Sequence, residues 1–342
     1  MSHRIAFPVL AAVTCFPLLA LAAESQLPDA KPVQDVQVLP LPYDQSSFEH
    51  DARELTRYHY GPALKRPFWY PLIGPPRQIG AGRSLTRMGH PRDPHTHSHH
   101  NSVWISHHDV AGVDFWSDRP GTGRIVHQYV KQYEDGDKAA WMLSLNAWQD
   151  GNGKTLMNEW RRTQVEPGDK GNWLMLIDLQ LEAPATGPVT IGQNPFGLIG
   201  VRMAKTIGVH DGGGRILNSQ GQLNEGEVFR KPARWVDYSG PVTKEDTGGI
   251  TLMDHPANPG HPTPFHVRGD GWMGACLTLN RPLTIEPGKP LRLRYALWIH
   301  AGVPKVPEID ARWKDFAARG LPQPPATTVV SLVPSPTRPP SP

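Results

Sequence analysis

Between His90 and Trp116 the chain reads HPRDPHTHSHHNSVWISHHDVAGVDFW. Seven of its sixteen histidines fall in the first nineteen positions of this stretch, beside Asp93, Asp109, Asp114, Trp104 and Trp116. Histidine changes charge near neutral pH and ligates metals, so this density marks a site. If 95–99 is extended, as Pro94 favours, His95, His97 and His99 project on one side and His100 on the other. An i, i+2 histidine pair on a strand can share one ion, and His107 on the next strand would complete a three-histidine site. Such a site suits a divalent metal: zinc, iron, manganese or copper. The same residues can work without metal. Histidines paired with Asp109 or Asp114 supply a general acid and a general base near neutral pH.

Two further stretches offer walls for that site. The loop 253–268 is stiffened by prolines and carries His255, Asn258, His261, His266 and Arg268. Stiff loops with polar tips are common places for binding groups. In 291–300, alternation puts Leu291, Leu293, Tyr295, Leu297 and Ile299 on one face. Arg292, Arg294, Trp298 and His300 share the other, a surface suited to a polar, ring-shaped ligand.

The elements that position these groups read as all-β. Thirty-seven prolines and thirty-three glycines imply short elements joined by turns. Strands are expected at 68–72, 84–88 and 102–106, then at 124–133, 140–147, 154–165 and 172–182 with glycine-rich turns between. Further strands are expected at 215–217, 233–238, 249–253, 271–277 and 291–300. Only 307–320 reads as a helix, with Pro307 at its start, Gly320 at its end and Ile309, Trp313 and Phe316 at helical spacing. It is expected over a sheet edge or one end of a sandwich.

Residues 1–23 have the layout of a secretory signal peptide, which places the mature protein in the periplasm or outside the cell. With the leader gone, Cys276 is the sole cysteine and no intrachain disulfide can form. The net charge of +3, with no long basic run, argues against nucleic acid as partner. No later stretch has the length of a membrane span, so no membrane partner is expected after leader cleavage. A Pro-rich segment at 24–66, a sandwich domain at 67–303, a helix at 304–320 and a disordered tail at 321–342 complete the expected organisation. An edge strand over 33–39 is the one regular element expected in the first of these.

The stretch Thr96-His97-Ser98-His99-His100-Asn101-Ser102-Val103-Trp104-Ile105-Ser106-His107-His108-Asp109-Val110-Ala111-Gly112-Val113-Asp114-Phe115-Trp116 resembles the central motif D-H-P-H-H-[RQ]-S-L-W-F-A-H-G-D-V-N-G-V-D-F-W of the DUF6807 family, also labelled a methane oxygenase PmoA family. Phe196 to Arg202, Arg234 to Gly240, Asp254 to Pro259 and Phe265 to Arg268 resemble later segments of that family in the same order. The resemblance spans about 65–303. His97, His99, His100 and His107 match the motif, while Thr96, Ser98, Asn101, His108 and Ala111 depart from it. The resemblance implies a large antiparallel β-sandwich similar to galactose mutarotases, and a carbohydrate or other polar small molecule as ligand.

These readings converge on a carbohydrate-acting protein of hydrolase, lyase or epimerase type. The expected catalytic set is His97, His99, His100, His107 and Asp109, with His97, His99 and His107 also the expected metal ligands. Asp114, Trp116, Arg202, His255, Asn258, His266, Arg268 and His300 are expected to hold substrate. Two other classes compete. A non-catalytic glycan-binding module would use the Arg294 and Trp298 face, and a metal-dependent oxidase would follow the family label.

Overall fold

The computed structural model describes residues 32–75, 82–93 and 97–322. The expected leader, His95 and the tail beyond residue 322 lie outside the described residues. From Gln34 onward the chain clusters as one unit. In chain order its strands are β1 (Val36–Leu41), β2 (Gln45–His50), β3 (Arg53–His59), β4 (Phe68–Leu72), β5 (Val103–His107), β6 (Arg124–Glu134), β7 (Ala140–Gln149), β8 (Thr155–Pro167) and β9 (Trp173–Glu182). They continue as β10 (Val189–Ile191), β11 (Gly197–Arg202), β12 (Arg215–Asn218), β13 (Trp235–Pro241), β14 (Thr247–Asp254), β15 (Phe265–Arg268), β16 (Trp272–Cys276), β17 (Leu283–Ile285) and β18 (Leu291–Ala301). Two short helices, α1 (Val209–Gly212) and α2 (Asn224–Val228), precede the longer α3 (Val306–Ala317).

The strands form two eight-stranded antiparallel sheets and one small pair, β10 with β17. The first sheet runs β1-β2-β3-β4-β5-β11-β16-β15, and the second β12-β13-β14-β18-β9-β8-β7-β6. One apolar cluster draws Val103, Ile105, Ile199, Val201 and Met273 from the first sheet and Met175, Ile177, Leu179, Leu252 and Ile299 from the second. The fold is therefore the expected all-β sandwich. Its hairpins follow from turn chemistry. Between β7 and β8, Asp150 Oδ1 accepts the N–H groups of Asn152 and Lys154, each at 2.9 Å, and Gly153 takes φ +84°.

The structure differs from expectation in three places. The segment 24–66 contains β1, β2 and β3, which extend the first sheet to its edge rather than leading irregularly into it. Residues 84–88 make only isolated bridges, Ile73 with Ser84, Thr86 with Met203 and Met88 with Asn101. Finally, α3 lies on the outer face of the second sheet, where Ile309 and Phe316 join Leu176, Trp235 and Trp298 in a second apolar cluster. No helix among the described residues is long and apolar enough to cross a membrane.

Candidate functional site

Strand alternation sorts the residues of the first sheet. On β5, Val103 and Ile105 face the other sheet, so His107 does too, while Trp104 faces outward. Pairing then lines up an outward row across five strands. Phe68 lies opposite Trp104, Trp104 opposite Gly200, Gly200 opposite Gly274 and Gly274 opposite His266. The two glycines leave the middle of this row bare. A Cβ on Gly200 would stand 2.5 Å from Trp104 Cζ2, so only glycine lets the indole lie across β11. Beside this row Trp272 pairs with both Arg202 and Arg268, so all three share the outward face. Trp104, Trp116 and Trp272 pack with Phe68 and the half-buried Phe196 as an aromatic floor.

The histidine stretch closes over that floor as a turn and not as a strand. The His100 N–H donates to the His97 carbonyl at 3.1 Å, which brings the two rings together. His97 stacks on His100 at 4.8 Å, His100 stacks on Trp104 at 4.8 Å, and His99 meets His100 edge-on at 4.9 Å. Trp272 occupies the centre: ring centroids lie 4.0 Å away for His266, 5.3 Å for His100 and 6.4 Å for His97. Above it opens a cavity of about 700 Å³, whose lining includes His97, His99, His100, Asp114, Trp116, His266 and Arg268. Seven of the residues expected to form the site are thus brought together.

Three charged residues absent from the expected set build this arrangement. Asp270 pairs with His97 Nδ1 through one oxygen and accepts from Arg202 Nη1 at 3.2 Å through the other. Burial pulls its carboxyl up, yet the hydrogen bond from His97 and the charge of Arg202 outweigh that and hold it below the ordinary value. Arg66, 1 % exposed, ties two loops together. Its guanidinium donates to the His99 carbonyl at 3.3 Å, Asn101 Oδ1 at 2.7 Å, the Trp116 carbonyl at 2.9 Å and Asp118 Oδ1 at 2.7 Å. Asp118 itself lines the cavity, with Arg119. Asp270 sits in the turn between β15 and β16 and Arg66 in the loop before β4. Neither has a spacing that sets it apart from any other charged loop residue.

Burial sets the charge state of the imidazoles. Desolvation lowers His99 to about 4 and His266 to about 3, and holds His100 well below its ordinary value. His266 Nδ1 donates to the Pro195 carbonyl at 3.3 Å, which leaves Nε2 as the unprotonated nitrogen. That nitrogen is buried without a partner, as are His99 Nε2, His100 Nδ1 and the indole nitrogens of Trp104 and Trp272. Asp114 is the reverse case. Burial raises it, but the hydroxyl of Ser117 at 2.5 Å and the N–H groups of Trp116 and Ser117 outweigh that and keep its carboxyl low.

The remaining expected residues lie elsewhere. His107 is fully buried on the core face, where Nδ1 accepts the Asp109 N–H at 2.9 Å and Nε2 donates to Thr278 Oγ1 at 2.7 Å. Both nitrogens being engaged, His107 does not join His97 and His99 as a metal ligand. Among the described residues, no three His, Cys, Asp or Glu side chains are arranged to hold an ion. Asp109 caps a tight turn by accepting the Gly112 N–H at 2.9 Å. Arg202 lies beneath Asp270 at 1 % exposure. His255 donates to the Arg319 carbonyl at 3.0 Å, Asn258 bonds Asp254 at 2.7 Å and the Arg294 carbonyl at 2.8 Å, and His300 pairs with Asp237 at 2.8 Å. The Arg294 and Trp298 face is covered as well. Arg294 is held by Asp178 at 2.5 Å and Trp298 is packed beneath α3, so these two side chains are not open to a glycan.

A model for a family of unknown function, DUF6807, matches residues 45–314. The chain belongs to this family. The match crosses both boundaries expected around the sandwich, taking in β2 and β3 at one end and most of α3 at the other. Among solved structures, this DUF6807 chain is similar to a candidate kojibiose phosphorylase from human microbiome, with TM-score 0.34, 10% identity and coverage of 84% of this chain and 37% of that one. A heparinase III with methylated lysines gives TM-score 0.30, 11% identity and coverage of 82% and 37%. For the 4-alpha-glucanotransferase from Thermococcus litoralis the values are 0.27, 9%, 78% and 39%. The chain spans less than two fifths of each. No curated protein matches it significantly.

Proposed function

We propose that this protein is a carbohydrate-acting enzyme of epimerase or lyase type, in which His97 moves a proton at the edge of a sugar ring resting on Trp272. One observation carries the reading: His97, whose Nδ1 is held by Asp270, lines a 700 Å³ cavity floored by aromatic rings. With Nδ1 against a carboxylate oxygen, Nε2 is free to take a proton from a substrate O–H or C–H bond. The resulting imidazolium is stabilised by Asp270, and the same nitrogen returns the proton. Aromatic faces bordered by polar groups suit a sugar, which has both apolar C–H faces and hydroxyl edges.

Two-carboxylate glycoside hydrolysis fits less well. It needs one carboxyl kept protonated as an acid. Of the carboxyls lining the cavity, Asp118 is paired with Arg66 and Asp114 is held low by three hydrogen bonds.

The test is turnover on a panel of neutral and acidic mono- and oligosaccharides, followed by anomeric NMR signals and by absorbance of an unsaturated product. The Asp270→Asn and His97→Ala variants are expected to lose roughly 10²–10⁴-fold in rate. Variants as fast as wild type would end the assignment of His97. Sugar binding with no turnover on any substrate would favour a binding module instead.

A further inference from the structure

The rings at the floor of the cavity leave uncharged groups unspent. Trp272 Nε1–H is a donor without a partner, and His266 Nε2 is an acceptor without one, on rings 4.0 Å apart that both line the cavity. Leaving such groups buried and unpaired costs about 1–3 kcal/mol each, so a site that keeps them is built for something that completes them. One donor beside one acceptor is the complement of hydroxyl groups.

The guanidiniums near this floor are each paired with a carboxylate, Arg202 keeping a buried Nε–H without a partner. Arg202 is bound to Asp270, Arg268 to Glu225 at 2.6 Å and over the Phe229 ring at 4.3 Å, and Arg66 to Asp118 and backbone carbonyls. Arg119 stands exposed at the rim. Two carboxylates, Asp114 and Asp118, line the same space. A carboxylate or sulfate seated on Trp272 would lose its water and find the neighbouring guanidiniums already paired with carboxylates, the unpaired Arg119 lying out at the exposed rim.

We infer that the floor of this cavity receives an uncharged sugar ring, with His266 Nε2 accepting a hydrogen bond from one of its hydroxyls, and that it rejects uronate and sulfated rings. The inference rests on the reading of the cavity as a carbohydrate site and adds the class of sugar and the residue that reads it. His266 is then a specificity residue, distinct from His97. Its tautomer is fixed by Pro195, and its burial disfavours the charged form that proton transfer would need.

The experiment is direct binding to wild type and to His266→Phe. The probes are D-glucose, D-galactose, D-mannose and D-xylose with their monodeoxy analogues, against D-glucuronate, D-galacturonate and glucose 6-sulfate. Imidazole ¹⁵N shifts of His266 are read on the wild type in parallel. At least one neutral sugar is expected to bind at least tenfold more tightly than any acidic one. One of its deoxy analogues and the phenylalanine variant are each expected to lose about tenfold, the scale of a single hydrogen bond. At pH 7, Nε2 is expected to resonate as an unprotonated nitrogen and to shift when the neutral sugar binds. Acidic sugars binding as well as neutral ones would overturn the inference while leaving the carbohydrate reading intact. So would a His266 Nε2 signal that is protonated or unmoved by sugar, even if the variant does not fold. Absence of binding by every sugar would overturn both.

Discussion

Mild acid is the perturbation that tests this structure most directly. His99, His107 and His266 are held at about 4, 4 and 3 by burial, against 6.5 for the unfolded side chain. Each binds its proton less readily folded than unfolded. The stability they contribute is therefore complete above 6.5 and is lost as pH falls toward 4. At pH 5 an unfolded histidine is protonated and these three are not, which costs about 2 kcal/mol each at 1.36 kcal/mol per unit. Their sum, about 6 kcal/mol, is comparable with the whole stability of an ordinary domain. The low carboxyls Asp93, Asp114 and Asp270 follow the same schedule in a lower window. Their contribution is complete above their unfolded value of 3.8 and is lost only below it, so they stay silent between pH 7 and 5. Urea unfolding measured every half unit from pH 7.5 to 5 reads the effect. Near pH 5.5 these three contribute a slope of about 4 kcal/mol per pH unit, roughly three protons taken up on unfolding, and His100 and His127, also lowered by burial, steepen it further. A slope below about 1.4, one proton or fewer, would mean that these imidazoles are solvated and that the packing described for the floor is wrong.

Two substitutions separate scaffold from site. Arg66→Met leaves the carbonyls of His99 and Trp116 and the Asn101 amide oxygen without their donor, and is expected to cost on the order of 3 kcal/mol. It should also speed proteolysis within 97–118, read by limited digestion. Phe316→Ala opens a void beneath α3 on the far sheet, with an expected loss of about 3–5 kcal/mol in urea unfolding. Sugar binding measured in the same preparation should remain unchanged.

The strands from 124 to 182 in the second sheet were legible because strong turn signals separate them, and 172–182 and 291–300 also carry period-2 alternation. The expected strand at 140–147 lies within β7 and that at 172–182 matches β9 to within a residue. The gathering of these histidines in one place was legible, yet its geometry was not. Taking 95–99 as extended made His97 and His99 neighbours on one face, whereas the turn closed by the His100 N–H stacks His97 on His100. The misplacement of His107 was avoidable. It shares the parity of Val103 and Ile105, and two apolar residues in alternation already marked that face as core. Asp270 and Arg66 were beyond reach, since their roles depend on which loops the topology brings together. The outward row of 291–300 failed for another reason: alternation tells the two faces of a strand apart, but does not reveal that α3 covers one of them.

The placement of β18 has a consequence in time. It lies between β14 and β9, and among the described residues no other strand joins β12–β14 to β6–β9. Until synthesis passes Ala301 the second sheet exists only as two separate hairpin groups, each with an open edge and a bare apolar face. The first sheet lacks its opposing layer over the same interval. Non-local pairing of this kind slows folding and exposes unfinished edges to other chains. A truncation ending before Leu291 is thus an aggregating fragment rather than a smaller domain, and production of this protein depends on how long the chain waits for its last strand.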